Sequence, residues 1–298
     1  NISKLITIQE GCDKFCSFCV VPYTRGKEFS RSVEDIYAEV KTQVKNGARE
    51  ITLLGQNVSS FRSSILVSGK IKEIFLGKLC QILSKIEGLE RIRYLTSHPI
   101  DINDELINEH KENQKMMPFL HLPIQSGSDK ILKDMNRKHN KKFYLNLIDI
   151  IKKQVHNMAF SSDFIVGYPG ETEQDFEETL DLIDKVKFAS SYSFKYSIRP
   201  GTPSSIKKKI VDDRTASVRL KKIQEKLIFQ QREFNLSFLD RTVEVLFSKV
   251  GKKDNQFVGR TPHLQPVHVC SKDNIIGKTL KVKINKLTSF SFHGKLIT

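Results

Sequence analysis

Three of the chain's five cysteines fall within eight residues, Gly11-Cys12-Asp13-Lys14-Phe15-Cys16-Ser17-Phe18-Cys19, spaced C-x-x-x-C-x-x-C. Paired C-x-x-C arms would point to zinc, but only three thiolates stand here and no nearby histidine completes a four-ligand set. Soft thiolates on a short loop suit an iron–sulfur cluster, which normally takes four protein ligands. Three ligands leave one iron open, as a catalytic metal requires. A small molecule binding through amino and carboxylate groups would fill it. A structural metal knuckle, or three buried thiols, is the alternative. Clustered free thiols point to a reducing compartment, so a cytoplasmic location is expected.

The segments around this loop alternate between two periodicities. Lys4–Glu10 reads as a short buried strand that delivers the cysteines from its C-terminal end. Ser32 caps a helix with Val33, Ile36, Val40 and Val44 on one face, ending at Asn46-Gly47. Strands are then expected at Glu50–Leu54, Arg91–Thr96, Phe119–Ile124, Phe160–Val166 and Ser191–Tyr196. Helices are expected at Leu76–Ile86, Asp104–Lys111, Asp129–Met135, Lys142–Val155 and from Thr172 to Val186, and the loop Phe61–Gly69 reads as mobile. Six β–α alternations imply an α/β fold with parallel strands and ligands at their C-terminal ends. Periodicity leaves open whether the sheet is flat or a partial barrel. The Cys loop, Gly55-Gln56-Asn57, Ser97-His98-Pro99, Gln125-Ser126-Gly127 and Gly167-Tyr168-Pro169 all punctuate such ends, so one site is implied.

A long helix, Asp212–Phe234, with sparse apolar positions at Val218, Ile223, Leu227 and Phe234, reads as a connector. Beyond it come five short β segments, Thr242–Phe247, Gln256–Arg260, Gln265–Val269, Thr279–Ile284 and Ser291–Leu296, read as a small all-β, OB-like barrel. The division expected is 1–234 and 235–298. Residues 235–298 carry 11 Lys and Arg against 4 Asp and Glu, within a chain of net charge +15. That excess favours a polyanion, RNA or DNA first. No apolar run is long enough to span a membrane, and the start, Asn1-Ile2-Ser3, resembles no signal peptide. It lacks an initiator methionine, so a fragment or processed piece is expected.

The motifs together resemble a known family. The Cys loop with Val20-Val21-Pro22-Tyr23-Thr24-Arg25-Gly26, Leu53-Leu54-Gly55-Gln56-Asn57, Thr96-Ser97-His98-Pro99, Leu120-His121-Leu122-Pro123-Ile124-Gln125-Ser126-Gly127-Ser128, Asp163-Phe164-Ile165-Val166-Gly167-Tyr168-Pro169-Gly170 and Arg199-Pro200-Gly201-Thr202-Pro203 are similar to those of the MiaB family of tRNA methylthiotransferases. Those are radical S-adenosylmethionine (SAM) enzymes. The basic terminal segment resembles their TRAM domain. The resemblance implies a partial (βα)6 radical SAM barrel followed by a TRAM barrel, a 4Fe-4S cluster, and SAM held on the open iron. The reaction implied is reductive SAM cleavage to a 5′-deoxyadenosyl radical, then methylthiolation of C2 of N6-isopentenyladenosine immediately 3′ of the tRNA anticodon. An unactivated aromatic C–H offers no acid–base route, so the cofactor carries the hard step. Relatives acting on threonylcarbamoyl-adenosine or on a ribosomal protein share the architecture. The competing class is a non-enzymatic RNA-binding protein with a structural metal. The family also has an N-terminal domain with a second 4Fe-4S cluster. Its ligands have no counterpart here, because Cys80 and Cys270 stand alone. The chain is therefore expected to cleave SAM without inserting sulfur.

The resemblance makes Cys12, Cys16 and Cys19 the cluster ligands. Phe18, Gly55, Gln56, Asn57, Ser97, Gln125, Asp163 and Arg199 become candidates to bind SAM. Arg25 and Arg31 are alternatives for its carboxylate or for RNA phosphate, and Tyr23 and Tyr168 are candidates to stack on a flipped base. His98 and His121 read as structural, because hydrogen abstraction needs no general base. Lys249, Lys252, Lys253, Arg260, Lys278, Lys281 and Lys283 are candidate phosphate contacts. The expected partners are the tRNA anticodon stem-loop and an electron donor such as flavodoxin or ferredoxin, with the chain a monomer.

Overall fold

Six strands, each followed by a helix, build the larger part of the computed structural model, which describes residues 1–288 and 290–297 and, at Val67, the backbone alone. The strands are β1 (Ser3–Thr7), β2 (Glu50–Leu54), β3 (Arg91–Tyr94), β4 (Phe119–His121), β5 (Ala159–Val166) and β6 (Ser190–Lys195). The helices are α1 (Val33–Lys45), α2 (Leu76–Leu83), α3 (Asp104–Glu112), α4 (Lys141–Gln154), α5 (Glu173–Val186) and α6 (Asp213–Leu236). Parallel pairing runs β1–β2–β3 and β4–β5–β6. A parallel bridge between Ile92 and Met116, just ahead of β4, joins the two halves into one curved sheet. β1 and β6 end that sheet without pairing to each other among the described residues, so the barrel is partial. Strands covered on both faces need apolar runs, which β2 supplies with Ile51–Leu54, whereas β3, equally buried, carries Arg91 and Arg93.

The helix starts follow their sequence signals. Ser32, Asn103, Asn140 and Asp212 each accept a backbone N–H of the first turn, and Thr172 with Asp175 closes a capping box. α1 buries Val33, Ile36, Val40 and Val44, the expected face.

Four expectations are corrected. Phe61–Gly69 is no loop but the first arm and turn of a hairpin: Phe61 is fully buried, and Arg62–Val67 pairs with Lys70–Phe75. Its turn residues, Ser68 and Gly69, both have φ > 0, as a tight two-residue hairpin turn demands. The connector helix is instead the sixth barrel helix. It packs along β6, burying Ile223 and Leu227 while Val218 faces solvent, and Gln230 accepts from Phe188 N and donates to Ile183 O. Phe119–Ile124 shortens to three residues because Pro123 lacks the N–H a ladder needs. Leu5 lies exposed on the edge strand, and the first strand breaks at Ile8 before Gln9–Glu10 pairs with Phe29–Ser30.

The C-terminal unit is a closed barrel of β7 (Thr242–Val250), β8 (Gln256–Arg260), β9 (Pro266–Cys270), β10 (Thr279–Leu287) and β11 (Phe292–Leu296), ordered β7-β8-β9-β11-β10. Val245, Phe247, Val267, Val282, Ile284 and Phe292 fill its core. No described helix is long and apolar enough to cross a membrane.

Buried arginines of β3 join the units. Arg93 Nε meets Glu50 Oε2 at 2.8 Å, and its other nitrogens donate to Pro262 O and Thr261 O at 2.7 and 3.0 Å. Arg91 Nη1 donates to Arg260 O at 2.8 Å. Burial first, then the Arg93 charge, presses Arg91 down to about 10. Ser3 Oγ satisfies the other Glu50 oxygen. Removing one partner of a buried ion pair strands the other, at about 3–5 kcal/mol. Glu50→Ala is therefore expected to lower unfolding free energy by about that amount in urea denaturation. It should also speed proteolytic cutting between Leu236 and Thr242.

Candidate active site

The cysteine loop follows β1 and is held by amide side chains. Gln9, fully buried, accepts Gln56 N and Asn57 N on Oε1 at 2.9 and 3.2 Å, and its Nε2 donates to Gly11 O at 2.8 Å. Gln56 Oε1 accepts Gly11 N at 2.6 Å. Gly11 has φ +74, and a Cβ there would meet Lys27 O at 2.1 Å; a Cβ on Gly55 would meet Gln9 Oε1 at 2.4 Å. Both glycines are thus demanded by close approach. Asn57 Nδ2 and Lys14 Nζ share the Asp101 carboxylate, each at 2.7 Å.

From the other half of the barrel, the residues after the short helix Asp129–Asp134 reach the same loop. Met135 O accepts Ser17 N at 2.9 Å, Asn136 Nδ2 donates to Phe15 O at 2.8 Å, and Arg137 Nη1 donates to Cys16 Sγ at 3.3 Å. Cys16 is buried; Cys12 and Cys19 are half-buried. Burial pushes the Cys12 and Cys19 thiols up, and the neighbouring thiols push the same way, Cys16 and Cys19 on Cys12 and Cys16 on Cys19. Yet among the described residues no three His, Cys, Asp or Glu side chains are set to hold a single metal ion. A cluster asks for something different, because each thiolate binds its own iron. The donor set fits a cluster better than a zinc knuckle.

Phe18, Gln125, Asp163 and Arg199 come together, lining a cleft of about 330 Å³ with Ile165, Phe194 and Tyr196. An aromatic ring, a carboxylate and a guanidinium suit an adenosyl group with a zwitterionic amino-acid end. Gly55, Gln56, Asn57 and Ser97 lie on the other half-sheet. Gln56 and Asn57 are engaged with the loop, whereas buried Ser97 Oγ has no partner. Tyr168 is buried with its hydroxyl on Asp134 O, and Tyr23 is exposed. Arg25 is exposed on the short helix after the cysteines, and Arg31 pairs with Glu39. His121 Nε2 stands 3.5 Å from Asp163 Oδ2. Through it the cleft neighbours a cavity of about 400 Å³ between the two barrels, lined by Leu95, Phe119, His121, Tyr192, Phe234, Arg260 and Leu264 among others.

Of the basic candidates, all exposed, Lys249, Lys252, Lys253 and Arg260 surround one groove of the small barrel. Lys281 and Lys283 point outward from β10, alternating with buried Val282 and Ile284, and Lys278 precedes that strand. Sequence reasoning missed Gln9, Arg91, Arg93 and Arg137. The alternation Arg91-Ile92-Arg93-Tyr94 in an expected strand was the signal available for the β3 pair; the sequence offers no equivalent signal for Arg137.

Two buried histidines lie beside Arg137, their rings 5.4 Å apart. Burial, then the Arg137 charge, lowers His98 to about 2 and His139 to about 4, and burial alone lowers His110 to about 4. An unfolded chain protonates these rings near pH 6.5 while the folded one does not, so folded stability is full above that pH. Acidifying from about 6.5 to 4 is expected to lower unfolding free energy by at most about 1.4 kcal/mol per pH unit per histidine. Urea midpoints across that range check it, and His139→Phe should flatten the slope.

A profile of the radical SAM superfamily matches residues 6–183 and one of the TRAM domain matches 237–297. The chain is 50% identical over 298 residues to the tRNA-2-methylthio-N(6)-dimethylallyladenosine synthase of Rickettsia canadensis, and 49% identical over 296 residues to that of Rickettsia prowazekii. Each match covers 99% of this chain and 66% of the relative, so the chain spans just under two thirds of their length. Among solved structures, coproporphyrinogen III oxidase of Escherichia coli, a radical SAM enzyme, aligns over 99% of this chain and 72% of its own at 13% identity, with TM-score 0.54. The radical SAM methyltransferase TsrM of Kitasatospora setae has the same score and identity over 68% of this chain and 38% of its own. With the profile covering more than half of its residues and the cysteine loop at the end of its first barrel strand, this chain belongs to the radical SAM superfamily and ends in a TRAM domain.

Proposed function

We propose that residues 1–234 and 235–298 are the catalytic core and RNA-binding barrel of a tRNA methylthiotransferase acting on C2 of N6-isopentenyladenosine 3′ of the anticodon. The observation that carries this reading is identity near 50% to relatives of that named activity, unbroken across both units. The protein would work in a reducing, cytoplasmic setting with a flavodoxin- or ferredoxin-like donor, as a monomer.

A 4Fe-4S cluster with SAM supplies, when bound, the one-electron chemistry that removes an unactivated hydrogen. This chain's residues do the rest. Cys12, Cys16 and Cys19 hold the cluster, and Phe18, Gln125, Asp163 and Arg199 orient SAM. Gly55, Gln56 and Asn57 act by bracing the loop, and Ser97 offers a free hydroxyl. The cavity beyond His121 takes the flipped base, whose prenyl tail suits the apolar wall of Leu95, Phe119, Phe234 and Leu264. Holding base and cofactor at fixed separation, away from water, is the protein's main contribution.

Anaerobic reconstitution with iron and sulfide, reduction, addition of SAM and mass spectrometry for 5′-deoxyadenosine test the core. The product should form and vanish in Cys12→Ala, Cys16→Ala and Cys19→Ala. A metal-bound chain indifferent to SAM would instead favour a structural site. For the RNA face, replacing Lys249, Lys252 and Lys253 by Ala should weaken tRNA binding. The slope of log K against log salt should fall by roughly 0.7–0.9 for each phosphate that is no longer neutralised. For the base, Phe234→Ala should reduce the preference for a prenylated over an unprenylated anticodon stem-loop.

A further inference from the structure

Three consecutive residues, Met135, Asn136 and Arg137, each grip one of three consecutive residues in the cysteine loop. Met135 takes the Ser17 amide and Asn136, with φ +57, takes the Phe15 carbonyl. Arg137 alone reaches a sulfur, donating to Cys16 Sγ at 3.3 Å, while its other terminal nitrogen is fixed on Pro123 O at 2.6 Å. The side chain is buried, its Nε has no partner, and no carboxylate pairs with it among the described residues. The nearby histidine rings have unpartnered nitrogens of their own and offer no counter-charge. A buried cation is costly unless an anion faces it. Within reach is the Cys16 sulfur, which becomes an anion when it ligates a metal, and behind it whatever that sulfur binds.

We infer that Arg137 is a positioning residue that fixes the Cys16 sulfur and raises the reduction potential of the iron–sulfur cluster held there. This rests on the reading of Cys12, Cys16 and Cys19 as cluster ligands. Reduction adds one electron, drawn from a one-electron donor, to a centre already negative from its thiolates, and no bond is made or broken. An N–H···S hydrogen bond and a fixed positive charge both stabilise the more negative, reduced form, and cluster potentials respond to both. Exclusion of water strengthens the effect. The Pro123 contact matters because it stops the guanidinium from turning away when the charge changes.

The test is a redox titration of the reconstituted whole chain, without tRNA, followed by the EPR signal of the reduced cluster. Arg137→Met removes charge and donor, Arg137→Gln keeps a donor, and Arg137→Lys keeps charge and donor without the planar fork. The midpoint should fall most in the Met variant, by at least tenfold in the reduction equilibrium, about 59 mV for one electron. Gln should fall between, and Lys closest to the parent. A Met or Gln variant with full iron and sulfide content at the parent midpoint overturns the inference. Where substitution prevents cluster uptake, the unmutated chain labelled with ¹⁵N-arginine decides. Pulsed EPR of its reduced cluster should show a coupled arginine nitrogen, and none overturns the assignment. A parent chain that takes up no cluster overturns the ligand reading itself, a distinct result.

Discussion

The arrangement of the candidate site depends on holding three thiols in a loop that has almost no regular structure of its own. Gln9 and Gln56 solve this by exchanging amides across the ends of β1 and β2, so that four backbone groups of the two loops are satisfied by two side chains. Each such bond is worth only about 1 kcal/mol net, but a buried backbone group left unpaired costs about 1–3. The loops therefore resist any rearrangement that would free those groups. Gly11 and Gly55 permit the approach that makes the exchange possible.

The second hold comes from the far half of the barrel, through residues 135–137, and this divides labour in the site. The β1–β2–β3 half supplies the cysteines and the bracing amides. The β4–β5–β6 half supplies most of the open cleft, with Gln125, Asp163 and Arg199, while Phe18 crosses between them to pack on Ile131, Met135 and Tyr168. A partial barrel suits this arrangement. Its unpaired edge leaves room beside β6, where Tyr192 and Phe194 stand exposed, and the His121–Asp163 contact joins the cleft of Phe18 and Arg199 to the cavity between the barrels.

A strand such as β2 was legible because burial on both faces forces an apolar run, and the helix starts at Ser32 and Thr172 because both are caps of an unambiguous kind. The cysteines stood out because thiol chemistry is spacing chemistry. What escaped was long-range. Gln9 and Arg137 act across 47 and 121 residues, and nothing in their immediate neighbours distinguishes them from surface polar residues. The hairpin at Arg62–Phe75 was missed because the apolar residues of its strands, Ile65, Leu66, Ile71, Ile74 and Phe75, do not alternate cleanly and its turn is only two residues long. The α6 helix looked like a connector because only one narrow face is apolar; glutamine, rather than a hydrophobe, completes its packing.

The contact between the units raises a sharper question, since it is made by charges that an apolar interface would not need. A buried pair such as Arg93–Glu50 is at best neutral for stability against well-packed hydrophobes. What it adds is direction. Apolar surfaces tolerate sliding, whereas Arg91 and Arg93 donate to the carbonyls of Arg260, Thr261 and Pro262, and one residue of slip would break all of these bonds. Arg260 shows why that register matters. Its carbonyl is gripped by Arg91, while the residue lines both the cavity between the barrels and the groove of Lys249, Lys252 and Lys253. Fixing Arg260 fixes the distance between the basic groove and the cavity, and the reaction proposed above, on one nucleotide of a folded RNA, would need that distance set before the RNA arrives.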